Sequence, residues 1–311
     1  MRQTLERQWH QELKIRVSPG ANLAGMGAAP EPVERDSRGI LDPGLLRERV
    51  RLTRYPPTVA LSGVVDRFWV VRWDLPPGMS HSQQVLTHPG ANLTVGSADA
   101  RAGGAPGRIE SRCNGVARGL TTRALAGQGW TVAAMTRPGG LGAFTHEPAS
   151  AFTDRVVPMG RALTVDDDRL LREVEDADEA ARVAVLARAL ERALDPGQVT
   201  VAAQVAGIAA LAETDRSVRR LDDLCARSGL GPRSLQRLFL RYAGVSPTWV
   251  LRRYRLIDAA EAVRDGRHVV WADVAADLGY SDQAHLTRDF RAALGQTPAA
   301  YARSQHEPPY C

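Results

Sequence analysis

Two short stretches near the end of this 311-residue chain carry side chains that could hydrogen-bond to the edges of nucleotide bases. In the major groove of duplex DNA, arginine pairs well with guanine and glutamine with adenine. Ala284 could touch only a thymine methyl group, and Arg237 and Arg288 could instead hold a phosphate or an internal carboxylate. The complete set of base-contacting candidates is Arg233, Gln236, Arg237, Gln283, Ala284, His285 and Arg288.

Further arginines in the same region suit phosphates better than bases, although plain solvated charge is the alternative for each of them. Between residues 215 and 303 there are 15 arginines and 10 acidic residues, whereas the rest of the chain holds 25 basic and 25 acidic residues. The excess positive charge therefore lies where a phosphate-binding surface would need it. The phosphate candidates are Arg241, Arg252, Arg253, Arg255 and Arg291.

A repeated pattern must position these side chains. The sequence Leu-x-Arg-x-Phe occurs at 235–239 and again at 286–290, each time after a glycine and before a Gly-x-x-Pro. Leucine and phenylalanine four residues apart face the core on one side of a helix, and the preceding glycine can end a first helix in the left-handed conformation. The pattern predicts two helix-turn-helix units, with a generic all-helical repeat as the alternative. The paired glycines and prolines are Gly229, Gly244, Pro247, Gly279, Gly295 and Pro298.

The second helix of each unit is predicted at Pro232–Tyr242 and at 282–292, where Pro232 suits a first helical turn. A helix over Pro247–Arg264 would link the units. Eighteen helical residues span about 27 Å, which is close to the roughly 34 Å between successive major-groove faces on one side of a duplex. One chain could therefore present two reading helices to adjacent segments of DNA.

Over roughly residues 215–303 the chain resembles the AraC/XylS family of bacterial transcription regulators. Its second repeat, from Val274-Ala275 through Gly279-Tyr280-Ser281, Leu286-Thr287-Arg288-Asp289-Phe290 and Gly295-Gln296-Thr297-Pro298 to Tyr301, is similar to the family signature. The resemblance implies a sequence-specific regulator that binds double-stranded DNA. A small-molecule effector, a homodimer and, for an activator, RNA polymerase are the further partners it suggests.

The first half of the chain has the pattern of a small β domain. Short runs rich in β-branched and aromatic residues, separated by Gly and Pro, predict strands at 68–75, 84–87, 92–95, 115–117 and 131–135. This half is similar to the cupin-like sensor domains that precede some family members, which implies an effector-binding or dimerising β-barrel. Arg137, in Arg137-Pro138-Gly139-Gly140, is the only effector-binding candidate, and a tight turn with a solvated arginine is its alternative.

The predicted fold class is α+β multidomain. It comprises a tail at 1–38 predicted to be disordered, a cupin-like β-barrel at 39–165, a helical connector at 166–198 that could pair chains, and an all-α domain with two helix-turn-helix units at 199–305. Residues 166–195 carry helical periodicity behind three aspartates, which suit a helix N-terminus. We expect an effector to act by shifting this connector.

The sequence lacks the residue patterns that metal-binding proteins and several classes of enzyme require. His81, His88 and His146 form no His-x-His pair, and Cys113, Cys225 and Cys311 have no metal-binding spacing, so we expect neither a metal nor a cofactor. Cys113 has no histidine near it in sequence to support a nucleophilic role. The charged N-terminus and the lack of long apolar runs predict a cytoplasmic protein without membrane contact. The chain is thus expected not to be an enzyme, although regulation by abundance alone and an enzyme–DNA-binding fusion stay as alternatives.

Overall fold

The structure, a computed structural model, describes residues 41, 49–98, 107–264 and 270–306. The tail predicted at 1–38 lies outside these residues. The first part of the described chain is built from strands, and its later part from helices. The strands are β1 (Val50–Tyr55), β2 (Val65–Asp74), β3 (Ser80–Val85), β4 (Asn92–Ser97), β5 (Ile109–Asn114), β6 (Thr121–Ala126), β7 (Gln128–Thr136) and β8 (Val156–Pro158).

Two antiparallel sheets form the β domain. One has the strand order β1-β2-β7-β4-β5-β8, and the other pairs β3 with β6. Alternating apolar residues such as Phe68 and Val70 of β2 turn one face of the large sheet into the core, as a period of two requires. A sheet-rich domain followed by helices confirms the predicted fold class. Closure of the two sheets into a barrel stays a prediction.

Some strand predictions were wrong in detail. The run at 115–117 is not a strand but part of the loop between β5 and β6, because β5 ends one residue earlier at Asn114. Strands β1, β5, β6 and β8 were not predicted. The β6 sequence TTRALA shows no alternation of apolar and polar residues, and only its pairing with β3 makes it a strand.

Helices occupy most of the remaining described chain, and the long ones lie where helical periodicity predicts them. The helices are α1 (Met159–Ala162), α2 (Asp167–Glu175), α3 (Glu179–Ala193), α4 (Val199–Thr214), α5 (Leu221–Ser228), α6 (Pro232–Tyr242), α7 (Pro247–Arg264), α8 (Trp271–Asp277), α9 (Gln283–Leu294) and α10 (Pro298–His306). Among them, none has both the length and the apolar character needed to cross a membrane.

The predicted connector is not one helix. It breaks at Asp176, and Asp178 starts α3 by accepting a hydrogen bond from the amide of Ala181 at 2.8 Å. Helix α3 then packs on the large sheet, where the guanidinium of Arg182 lies 3.6 Å from the ring centre of Trp130. Its apolar side chains, Leu186 and Leu190 among them, are buried there. The apolar face that could have paired two chains is thus occupied within one chain.

The β domain and the helices share one continuous hydrophobic core. The sequence Arg137-Pro138-Gly139-Gly140-Leu141-Gly142 lies at the centre of this contact, because it forms a tight 3₁₀ turn on which α4 and α6 pack. The Cα of Gly142 lies so near Tyr242 of α6 that an added Cβ would be 2.4 Å from a carbon of its ring. The amide of Asp195 donates to the carbonyl of Ala143 at 2.9 Å beside it. The glycines of this turn therefore allow the two halves to approach closely.

Candidate nucleic-acid interface

The first helix-turn-helix unit consists of α5 and α6, joined at Gly229. Gly229 has φ of +70°, so it ends α5 in the left-handed conformation as predicted. Leu235 and Phe239 of α6 are fully buried. The opposite face of α6 is exposed and carries the predicted base-contacting residues of this unit, Arg233, Gln236 and Arg237.

The second unit consists of α8 and α9 and repeats this design. Gly279 has φ of +73° between the two helices, and Leu286 and Phe290 of α9 are fully buried. Phe290 lies between Trp271 and Tyr301, with ring centres 6.2 and 5.7 Å away. The exposed face of α9 presents Gln283, Ala284 and Arg288 near its start and Arg291 near its end.

His285 is more constrained than the other base-contacting candidates. Its Nδ1 lies 3.2 Å from the hydroxyl of Ser281, and its Nε2 lies 3.9 Å from the carboxylate of Asp289. The imidazole also meets the ring of Tyr280 edge-on at 5.1 Å. These contacts orient the ring within the unit, so a base contact by His285 would have to break one of them. Asp289 is half-buried under His285, which keeps its charge away from the exposed face of α9.

Helix α7 links the units and forms one wall of a cleft between them. The cleft has a volume of 630 Å³, and none of its lining residues is acidic. Burial, and after it the neighbouring charges of Arg219 and Arg252, lower the pKa of Arg255. Arg219 and Arg220 were not predicted as site residues, because only the fold brings them from the start of α5 to α7. The basic residues of the cleft are Arg219, Arg220, Arg252, Arg255 and His285.

The structure divides the predicted phosphate contacts. Arg252 and Arg291 are exposed, and Arg255 is half-buried at the cleft, where its guanidinium donates to the carbonyl oxygen of Arg219. Arg241 donates to the carbonyl oxygen of His146 at 2.8 Å, so it fastens the end of α6 to the β domain. Arg253 is only 2% exposed and bonds to carbonyls of the β domain, so the prediction of a phosphate contact for it was wrong.

Arg137, the effector-binding candidate, ties two surface loops together. Its Nε donates to the carbonyl of Ser62 at 2.9 Å, and its Nη1 lies 3.8 Å from the carboxylate of Asp66. The arginine leads directly into the turn that supports α4 and α6. These contacts favour the tight-turn alternative over a ligand contact.

Asp282 caps the reading helix of the second unit by accepting the amide hydrogen of His285 at 2.7 Å. We expect Asp282→Ala to speed hydrogen exchange of the His285 amide, which loses its partner, while Asp282→Asn, which keeps an acceptor oxygen, changes it little. That hydrogen bond lowers the pKa of Asp282. The stabilisation is therefore fully present above the ordinary aspartate pKa of about 4 and is lost as the pH falls below it. Equal exchange rates in both variants at neutral pH would contradict the cap.

Comparison with known proteins agrees with this geometry. Residues 224–304 match a family model described as a helix-turn-helix domain. Over 79 residues the chain is 34% identical to the HTH-type transcriptional activator RhaR of Yersinia pseudotuberculosis, and over 82 residues it is 30% identical to the probable transcription factor PqrA of Proteus vulgaris. Residues 224–304 of this chain are therefore an AraC-type helix-turn-helix domain. The matched region begins inside α5 and covers the rest of both reading units.

The alignments to RhaR and PqrA cover only part of each chain. The aligned residues make up 25% of this chain and 27% of RhaR, and 26% of this chain and 66% of PqrA. Residues 53–158 match a different family model, a domain of unknown function (DUF6597). Among solved structures, ToxT from Vibrio cholerae O395 superposes with a TM-score of 0.38 at 11% identity, covering 73% of this chain and 98% of ToxT.

Proposed function

We propose that this chain is a sequence-specific DNA-binding transcription regulator that reads two adjacent major-groove segments. The observation that carries the proposal is the pair of equivalent helices, α6 and α9, whose buried Leu-x-x-x-Phe face fixes them in their units. Their opposite faces expose arginine and glutamine, which hydrogen-bond to guanine and adenine edges. The best candidates for base contact are Arg233 and Gln236 of the first unit and Gln283 of the second.

The cleft between the units supports the same function. Duplex DNA that enters one unit and then the other must pass its sugar–phosphate backbone across the intervening protein surface. In this structure that surface is the cleft along α7, where four arginines meet with no carboxylate among the lining residues. Arg219, Arg220, Arg252 and Arg255 are therefore our candidates for phosphate contacts at the centre of the site.

The proposal includes regulation by a small-molecule effector that would bind between the two sheets. Glu110 and Arg112 of β5, which form an ion pair, face Arg123 of β6 across a cavity of only 10 Å³. Thr94 and Thr131 line the same cavity and are buried. A polar or charged small molecule could pair with these groups if the sheets moved apart. This polar cavity is a better effector candidate than Arg137.

The proposal is tested by selecting bound sites from a pool of random DNA duplexes with the full chain at near-physiological salt. We expect an enriched motif with two short blocks about one helical turn, roughly 34 Å, apart. Gln236→Ala should weaken binding to the enriched duplex by about 1–3 kcal/mol and relax the preference at one base pair. Gln128→Ala, which removes an exposed glutamine of the β domain, is the matched control.

The phosphate contacts have a different signature in the same assay. Arg252→Ala should weaken binding to all duplexes alike and reduce the slope of affinity against salt by about one ion, whereas Arg188→Ala on the exposed side of α3 should do neither. No enrichment by the wild-type chain, with binding that disappears as salt rises, would overturn sequence-specific reading. A change of base preference in Arg252→Ala would show that the duplex docks differently.

A further inference from the structure

One arginine of the linking helix is inserted into the β domain. The side chain of Arg253 on α7 is 2% exposed, and its Nη2 donates to the carbonyl oxygens of Ala117 at 3.2 Å and Arg118 at 2.6 Å. Its guanidinium also lies 4.6 Å from the ring centre of Trp249, one turn earlier on α7. These contacts join the middle of the helix that spaces the two units to a single loop of the β domain.

That loop, residues 115–120 between β5 and β6, is itself held in place. The backbone amide and the Nε of Arg118 both donate to the carboxylate of Asp154, at 2.7 and 2.6 Å. The amide of Asp154 in turn donates to the carbonyl of Val116 at 2.9 Å. The strands on either side of the loop carry Glu110, Arg112 and Arg123, the charged groups of the cavity between the sheets. A displacement of β5 or β6 would therefore move the two carbonyls that hold Arg253.

The contact of Arg253 with the β5–β6 loop is a poor source of folding stability. The guanidinium is shielded from solvent, which lowers the pKa of Arg253 to about 10, and its Nη1 is buried without a hydrogen-bond partner among the described residues. A buried charge of this kind contributes little net stability compared with an apolar side chain of similar size. What a planar guanidinium does supply is a fixed direction, since the two N–H bonds of Nη2 must align with both carbonyls.

We propose that Arg253 is a positioning residue through which the β5–β6 loop fixes the direction of α7, and hence where the second unit lies relative to the first. The first unit is held to the β domain by α6, whereas the second unit is attached beyond Arg253, at the far end of α7. Helix α10 behind it adds a hydrogen bond from the hydroxyl of Tyr301 to the carbonyl oxygen of Leu41 at 3.2 Å. Releasing Arg253 lets α7 swing and carries the second unit with it. The consequence for DNA rests on the proposed function, while the effect on the two units does not.

The test measures the distance between the units in the full chain without DNA. Spin labels are attached to Leu240→Cys on α6 and Ala292→Cys on α9, both exposed positions, in a chain with Cys225→Ser and Cys311→Ser. We expect Arg253→Met to broaden the distance distribution by about twofold or more without lowering the melting temperature. Arg188→Met, at an exposed position of α3 that does not line the cleft, should leave it unchanged, and Arg253→Lys, which keeps the charge but not the planar guanidinium, should be intermediate. An unchanged distribution in both Arg253 variants overturns the proposal.

A second readout follows the consequence for DNA. If the aligned arrangement falls to about a tenth of the molecules, affinity for a duplex carrying both selected blocks falls about tenfold, because only the competent fraction binds. Affinity for a duplex with the first block alone should not change. A tenfold loss on both duplexes would contradict a positioning role. If the wild-type chain selects no motif, the proposed function fails, and the spin-label distances still decide whether Arg253 holds α7.

Discussion

Phe290→Ala is expected to lower the free energy of unfolding of the second unit by about 3–5 kcal/mol, the usual result of emptying a buried phenylalanine site. Phe290 is fully buried between Trp271 and Tyr301, so the cavity would be lined by large rings that cannot easily close it. The second unit contacts the rest of the described chain mainly through α7, and Tyr301 of the following helix α10 donates a hydrogen bond to the carbonyl oxygen of Leu41 at 3.2 Å. We therefore expect it to open separately, as a new transition at lower temperature in a calorimetric scan.

Phe239→Ala is the matched variant, because Phe239 holds the same place in the first repeat and is equally buried. Helix α6 packs on the 3₁₀ turn that contains Gly142 and on a second 3₁₀ turn at Ala149–Ala151 of the β domain, so losing its anchor should destabilise the β domain together with the first unit. Its calorimetric scan should keep one main transition for these parts, shifted to lower temperature. If Phe290→Ala instead shifts the whole chain in one transition, the second unit is not the independent element that its contacts indicate.

Gly142→Ala is expected to destabilise the chain by about 1–3 kcal/mol through overpacking alone. The added methyl group would lie 2.4 Å from the Cδ1 of Tyr242 and 2.9 Å from its Cα, and the backbone atom cannot move without shifting α6. The variant should therefore weaken the contact between the β domain and the first unit. Chemical denaturation followed by the signals of both parts would measure the loss.

Gly207→Ala is the control for this substitution. Gly207 lies exposed in α4, and an added Cβ would meet nothing within 4 Å. Alanine is preferred over glycine inside a helix by about 1 kcal/mol, so this variant should be as stable as the wild type or more so. Equal stability of Gly142→Ala and Gly207→Ala would mean that the turn or α6 can shift enough to accommodate the added methyl group.

The two reading units were predictable because their signals are local. Pro232 can begin a helix, and Gly229 and Gly279 can adopt positive φ. The leucine and phenylalanine of each repeat indicate which face of α6 and α9 is buried. The break between α2 and α3 also had a local signal, since Asp178 is a good N-cap residue. The helical periodicity on both sides of it nevertheless led to the prediction of one helix. These features depend on neighbours within about four residues.

The contacts between the two halves could not be predicted in this way. From the sequence alone, Arg253 of α7 resembles an ordinary solvent-exposed arginine. Its burial follows only from contact with the β5–β6 loop, which is more than 130 residues away in sequence. The turn at 139–142 reads equally well as a solvated loop, and only Tyr242, a hundred residues later, shows why glycine is needed there. Long-range partners of this kind leave no periodic signal in the sequence.

The continuous core has a consequence for how such a chain could be altered by recombination. A cut between Gln198 and Val199, just ahead of the helices that lead into the reading units, would expose α4, Tyr242 and Val245, all of which contribute to the shared interior. A foreign sensor domain joined at that point would need a surface that fits these residues. It would also need a turn that, like the one at Gly142, leaves room for Tyr242. The first reading unit and the β domain should therefore be exchanged together, and the second unit is the part that can diverge on its own.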